Sequence, residues 1–208
     1  MSISATIQYL EQQLQKPLPG RTAQYQMAHA VRRHHLPPPE NARTACVMIL
    51  LYPKAEDLHL VLIERMSTHK ADRHSGQISF PGGKLEAEDA SLLDGALRET
   101  QEEVGIDANS IKVLGALTDL YIPVSNFQVY PFVGYLPETA QFSPQPSEVK
   151  AIIETPLPLL QNPATVQQTD LRIPQGMLLK NVPFYNVHGH VVWGATAMML
   201  SEFLSLWN

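Results

Sequence analysis

Three glutamates, Glu99, Glu102 and Glu103, stand at positions i, i+3 and i+4 of a segment whose apolar residues repeat at helical spacing. On a helix they share one sector of roughly 100°. Carboxylates with reference pKa near about 4.3 are ionised at pH 7, so each like-charged pair costs the bare helix a few tenths of a kcal/mol. A divalent cation turns that repulsion into attraction, and carboxylate oxygens with retained waters suit a hard ion such as Mg²⁺. Just upstream, Gly82 and Gly83 allow tight backbone geometry and close approach of main-chain groups to a ligand. A loop of this kind running into a helix offers backbone amides to phosphate, or a carbonyl to a metal. Arg98 lies about 100° around the helix from Glu99 and can pair with Glu86, Glu88 or Asp89, fixing the loop against the helix. The chemistry such a site suits is metal-assisted reaction at a phosphate: bound Mg²⁺ stabilises developing charge and lowers the pKa of a water. A base must then take the proton of that water. The candidates are Glu103, Glu102 and the later Glu148, which opens a strand after the Pro-rich turn Ser143–Ser147.

A polyanionic substrate also calls for cations. His69, Lys70, Arg73, His74 and Lys84 surround the glycines in sequence and can meet additional phosphate, while Arg65, at the end of an apolar strand, is placed to face a cleft. Charged residues in turns are most often simply solvated, so Lys70 and Arg73 are weaker candidates than Arg65.

The run GGKLEAEDASLLDGALRETQEEVGI, Gly82 to Ile106, resembles the Nudix box, a glycine loop followed by an R-E-x-x-E-E-x-G helix. The resemblance implies a hydrolase of nucleoside diphosphates linked to another moiety, dependent on Mg²⁺ or Mn²⁺. It implies Glu99, Glu102 and Glu103 as metal ligands, with the Gly83 carbonyl as a further one. Two departures stand out: Ala90 occupies the position of an acid eight residues before Arg98, and one extra residue separates Gly83 from Arg98. Asp89, or else Glu88 or Glu86, must then brace the loop.

The preceding run, His74-Ser75-Gly76-Gln77-Ile78-Ser79-Phe80-Pro81-Gly82-Gly83, resembles the H-x-G-Q-x-x-F-P-G-G signature of the coenzyme A pyrophosphatase branch, as do Leu117–Asn126, Glu148-Val149 and Trp193–Ala197. This second resemblance implies coenzyme A or an acyl derivative as substrate, with 3′,5′-ADP and a 4′-phosphopantetheine fragment as products. ADP-ribose or another nucleoside diphosphate derivative is the alternative substrate, and a non-catalytic nucleotide sensor the alternative class. Arg65, Lys70, Arg73, His74, Gln77 and Lys84 form the implied substrate-binding set. Arg65 precedes His74 by nine residues, against seven in the usual form.

These groups need a rigid support. Thr44–Tyr52 and Leu58–Glu64 are nearly continuous apolar runs, the pattern of strands buried on both faces, with a turn between them. Gln77–Phe80, Ile111–Ile122, Gln128–Leu136, Val149–Glu154, Gln167–Ile173 and His190–Trp193 read as further strands; Asp89–Val104 and Ala195–Leu206 read as helices. Ile3, Ile7, Leu10 and Leu14 mark a leading amphipathic helix that ends at Pro17 and Pro19, and Pro37–Pro39 lie in an extended connector. The expected architecture is an α/β fold, a mixed sheet sandwiched between helices as in the Nudix fold, with an added N-terminal helix. Residues 1–42 form the leading helix and connector, and 43–208 the hydrolase domain.

Composition narrows the class. The chain has 208 residues, 44% hydrophobic and 17% charged, enough to bury a sizeable core. A net charge of −5 argues against a nucleic-acid wrapper, and the lone Cys46 excludes an internal disulfide framework. No run approaches the ~20 apolar residues of a membrane span, and Met1–Gln13 does not read as a signal peptide. A cytoplasmic enzyme acting on a small molecule is expected, with no membrane or nucleic-acid partner. Its first and last helices are available for a homodimer interface.

Overall fold

The computed structural model describes residues 2–32, 36–66, 76–173 and 176–207. Helices α1 (Ile3–Leu14) and α2 (Gly20–Gln24) lead, and strands β1 (Arg43–Lys54), β2 (Asp57–Arg65), β3 (Ile78–Ser79) and β4 (Gly82–Lys84) follow. Helix α3 (Leu92–Val104) precedes β5 (Lys112–Ala116), β6 (Leu120–Ile122), β7 (Phe127–Tyr135) and β8 (Val149–Pro156). The chain closes with α4 (Leu157–Gln161), β9 (Val166–Arg172), β10 (Leu178–Val187), β11 (His190–Trp193) and α5 (Gly194–Leu204).

The main sheet runs β3-β2-β1-β7-β5, with β4 on β1, β6 on β7 and β8 on β2. It is mixed: β1 is parallel to β7 and antiparallel to β2 and β4. A second sheet has the order β11-β10-β9. The apolar runs alternate between two cores, as strands covered on both faces must. Cys46, Met48, Leu50 and Tyr52 of β1, with Val61 and Ile63 of β2, pack with Ala96 and Val104 of α3. Ile49, Leu51, Leu60 and Leu62 face the other way, against Ile7, Leu10 and Leu14 of α1 and Met198, Leu200 and Phe203 of α5. The sandwich expected from the sequence is therefore present.

The leading segment is fastened by a polar clasp. The fully buried carboxyl group of Glu202 on α5 accepts from the Gly20 and Thr118 amides, both at 3.1 Å, and from Gln24 Nε2 at 2.8 Å. Gln24 Nε2 also donates to the Thr118 carbonyl at 2.8 Å. The clasp explains one difference from the sequence reading. The single strand expected over Ile111–Ile122 divides into β5 and β6, because the Thr118 amide turns to Glu202 instead of a neighbouring strand.

Two strands lack a sequence signal. Residues 82–84 read as a glycine loop, yet their backbone pairs with Ala45–Val47. Strand β10 is disguised by Asn181 and Pro183. Asn181 has φ +54 at a register shift, and its amide donates to Asp170 Oδ1 at 3.0 Å instead of to the ladder.

Candidate active site

Helix α3 carries the acids, and both of its ends are built for the purpose. It starts at Leu92, three residues later than its periodicity suggests, because Ser91 caps it by accepting from the Asp94 amide at 3.1 Å. It ends at Gly105, whose φ of +76 is the left-handed conformation that favours glycine. Asp89, left outside the helix, accepts from Arg98 Nε and Nη2 at 2.8 and 3.0 Å and from the Glu86 amide at 2.8 Å. Arg98 Nη2 also donates to the Lys84 carbonyl, 3.2 Å away. The brace between β4 and α3 therefore runs through Asp89. This two-pronged pairing pushes the Arg98 pKa up and holds the Asp89 carboxyl below the usual carboxylate range.

The carboxylates do not group as the helical wheel suggests. Glu103 lies in the buried stripe of α3 and its side chain is 0% exposed. Its Oε2 accepts from the Gly82 amide at 2.8 Å, and its Oε1 from Arg65 Nη1 at 3.0 Å. Glu99 is 13% exposed and pairs with Arg98 Nη1 at 2.9 Å. Glu102 is 55% exposed and turns outward, held only by Arg98 Nη1 at 3.1 Å among the described residues. The third carboxylate of the cluster comes instead from Glu148: one ligand atom each from Glu99, Glu103 and Glu148 lie within 4.8 Å of one another. Helical spacing finds Glu102. The long-range partners of Glu103 and the arrival of Glu148 depend on how the chain folds over α3.

Glu148 arrives on a segment docked to the end of that helix. The Ser143 and Gln145 amides donate to the Val104 and Glu103 carbonyls at 2.9 and 3.1 Å, satisfying acceptors that a helix end leaves open. A tight turn follows, with the Glu148 and Val149 amides both donating to the Gln145 carbonyl. The Glu148 carbonyl then accepts from the Met66 amide at 2.7 Å, next to Arg65.

The glycines make the close packing possible. Gly82 has φ +151 and a Cβ there would strike the Cys46 carbonyl; a Cβ on Gly83 would strike the Glu99 carboxylate. The electrostatics are those of too many acids in too dry a place. Burial pushes the Glu103 carboxyl up to about 7, against the opposing pull of Arg65 and the Gly82 amide, and the charges of Glu99 and Glu148 push the same way. Burial also raises Glu99, opposed by Arg98. A cluster of hard oxygen donors with this surplus of negative charge fits a divalent cation.

The remaining sequence candidates are spread around this centre. Arg65, 30% exposed, bonds to Glu103 and reaches toward the Gly82 carbonyl at 3.4 Å. Gln77 is half-buried and its carbonyl accepts from the Arg65 amide at 3.1 Å. Lys84 is exposed, its Nζ 3.5 Å from Glu86. Lys70, Arg73 and His74 lie outside the described residues.

Comparison with known proteins agrees with this architecture. A family model described as the NUDIX domain matches residues 42–174. The chain is 34% identical over 188 residues to the uncharacterized Nudix hydrolase NudL of Yersinia enterocolitica, covering 90% of this chain and 85% of that one. It is 33% identical over 172 residues to the protein of the same name from Photorhabdus laumondii, covering 80% and 89%. Among solved structures, a MutT/nudix family protein from Enterococcus faecalis superimposes with a TM-score of 0.53 at 16% identity, covering 100% of this chain and 75% of that one. The chain belongs to the Nudix family. It is a Nudix pyrophosphohydrolase, acting on a nucleoside diphosphate derivative. No helix among the described residues is long and apolar enough to cross a membrane.

Proposed function

We propose that this enzyme cleaves the diphosphate linkage of coenzyme A or an acyl-coenzyme A, releasing 3′,5′-ADP and 4′-phosphopantetheine or its acyl derivative. One observation carries the substrate assignment. Two of the segments that resemble the coenzyme A branch, Gln77–Gly83 and Trp193–Ala197, meet in space, where buried Thr196 Oγ1 donates to the Ile78 carbonyl at 3.0 Å. This bond joins the start of α5 to strand β3, which leads into the glycine turn.

Glu99, Glu103 and Glu148 would hold Mg²⁺ or Mn²⁺, and the family resemblance adds the Gly83 carbonyl and Glu102 as further ligands. When bound, the ion supplies charge stabilisation for the diphosphate and acidifies a water. Arg98 keeps Glu99 in position and locks β4 to α3 through Asp89. Glu148 is the exposed member of the cluster and is the group to accept the proton of the attacking water. Glu103 has both oxygens engaged and no exposure, so it serves as ligand and anchor. As the water oxygen bonds to phosphorus, the bond from that phosphorus to the bridging oxygen breaks, and its electron pair leaves on the second phosphate.

The test is a product assay with coenzyme A, 3′-dephospho-coenzyme A and ADP-ribose at equal Mg²⁺. Release of 3′,5′-ADP, with coenzyme A the preferred substrate, is expected. Preference for ADP-ribose, or indifference to the 3′-phosphate, would overturn the substrate assignment while leaving the reaction class intact.

A further inference from the structure

Arg65 is the one cation bonded to Glu103 among the described residues, with Nη1 at 3.0 Å from Oε1. We propose that Arg65 is the resident counter-ion of the acidic cluster: it neutralises Glu103 in the metal-free protein, and a divalent ion taking Glu103 releases the guanidinium to the substrate diphosphate. The inference rests on the metal site proposed above and concerns what the ion must displace.

Three features point to an exchangeable partner and not a fixed strut. The first is the way Arg65 is held. Its backbone is pinned: the amide donates to the Gln77 carbonyl at 3.1 Å, the carbonyl accepts from the Gly76 amide at 3.2 Å, and the residue pairs with Val149 at a register shift. Among the described residues the side chain, by contrast, makes one strong contact and a long one of 3.4 Å to the Gly82 carbonyl. Second, that side chain is 30% exposed while its partner is 0% exposed, so the guanidinium bridges the buried acid and the solvent. Third, the Gly82 amide keeps Glu103 Oε2 in place whichever cation faces Oε1. The acid therefore needs no movement when its counter-ion changes.

The physical logic is simple. A buried carboxylate without a countercharge costs several kcal/mol, so the metal-free cluster with Glu103 ionised requires a cation. An arginine supplies one charge, and a divalent ion bound also by Glu99 and Glu148 supplies two. A displaced guanidinium beside the same cluster is the group best shaped to grip phosphate with two parallel N–H bonds. Metal and substrate binding then become coupled through one side chain, each favouring the other.

The experiment titrates Mg²⁺ into the nucleotide-free full-length protein by calorimetry, comparing wild type with Arg65→Met, and repeats ADP titrations with and without Mg²⁺. Arg65→Met is expected to bind Mg²⁺ about tenfold more tightly, because the competitor is gone, and Mg²⁺-ADP about tenfold more weakly. Mg²⁺ affinity equal to or below that of wild type would overturn the proposal and make Arg65 a permanent strut. Should Arg65→Met fail to fold, Arg65→Lys carries the test. Lysine keeps the charge but loses the planar fork, so a few-fold gain in Mg²⁺ affinity is expected, and no gain overturns the proposal. Glu103→Gln separates the two levels: wild-type Mg²⁺ binding in that variant means the metal site itself was misread.

Discussion

Replacing Glu103 with glutamine should change how the stability of the metal-free protein depends on pH. Glu103 ionises near 4.5 when exposed and near about 7 in its buried position. Between those values the folded state binds more protons than the unfolded one. Its contribution to stability is thus fully present below pH 4.5, falls as the pH rises, and is gone once about pH 7 is passed. The slope is about 1.4 kcal/mol per pH unit, or about 3 kcal/mol over the whole interval. The substituted glutamine cannot ionise, so urea unfolding of Glu103→Gln in a chelator, at several values between about pH 5 and about pH 7.5, should give a profile flatter by that slope. The comparison is of slopes because the glutamine also turns an N–H toward Arg65 and lowers stability at every pH. Adding Mg²⁺ should then restore wild-type stability near neutral pH, by about 2.7 kcal/mol at a hundredfold excess over its Kd, and leave the variant unchanged. Parallel pH profiles for the two proteins would refute the reading of Glu103 as a buried acid that a cation must satisfy.

Gly83→Ala should lower Mg²⁺-dependent turnover by about 100-fold in a steady-state assay, because the new methyl displaces the Glu99 carboxylate by a distance catalysis does not tolerate. Gly105→Ala should lower the melting temperature by several degrees through about 1–3 kcal/mol of strain, since the residue sits at φ +76 with Ser143 Cβ only 2.8 Å from the added atom. Its effect on turnover should exceed its effect on stability, because Ser143 begins the segment that delivers Glu148. Arg98→Lys should weaken Mg²⁺ binding measured by calorimetry and remove the acid tolerance that depressed Asp89 confers. That tolerance is present above the ordinary aspartate pKa and is lost as pH falls through the lowered folded value, so the variant should unfold at a higher pH on acidification.

Local pattern reveals the parts of this molecule whose structure is decided locally. Strands β1 and β2 appear as apolar runs because each is covered on both faces, and α3 appears through its periodicity and its glycine stop. The brace by Asp89 also follows from sequence, since it lies nine residues from Arg98 where another acid of the loop is absent from the usual position. Pattern fails where a distant partner decides. Glu103 looks like any surface glutamate of a charged helix until Arg65, 38 residues away, and Gly82, 21 away, supply its hydrogen bonds. Glu102, its neighbour, has no such partner and stays outside. Strand β4 escapes notice because glycines pair through backbone alone, and β10 because an asparagine and a proline interrupt it.

The clasp at Glu202 bears on how this polypeptide can be shortened. Two of its three donors, Gly20 and Gln24, precede the first strand of the main sheet, at a site no water reaches. A form trimmed to begin at Arg43 strips both of them, leaves the Thr118 amide as the remaining donor of the clasp, and uncovers the apolar surface under Ile7 and Leu10 in the same cut. Affinity handles belong ahead of Ser2, and attempts to express the catalytic core alone should give insoluble material.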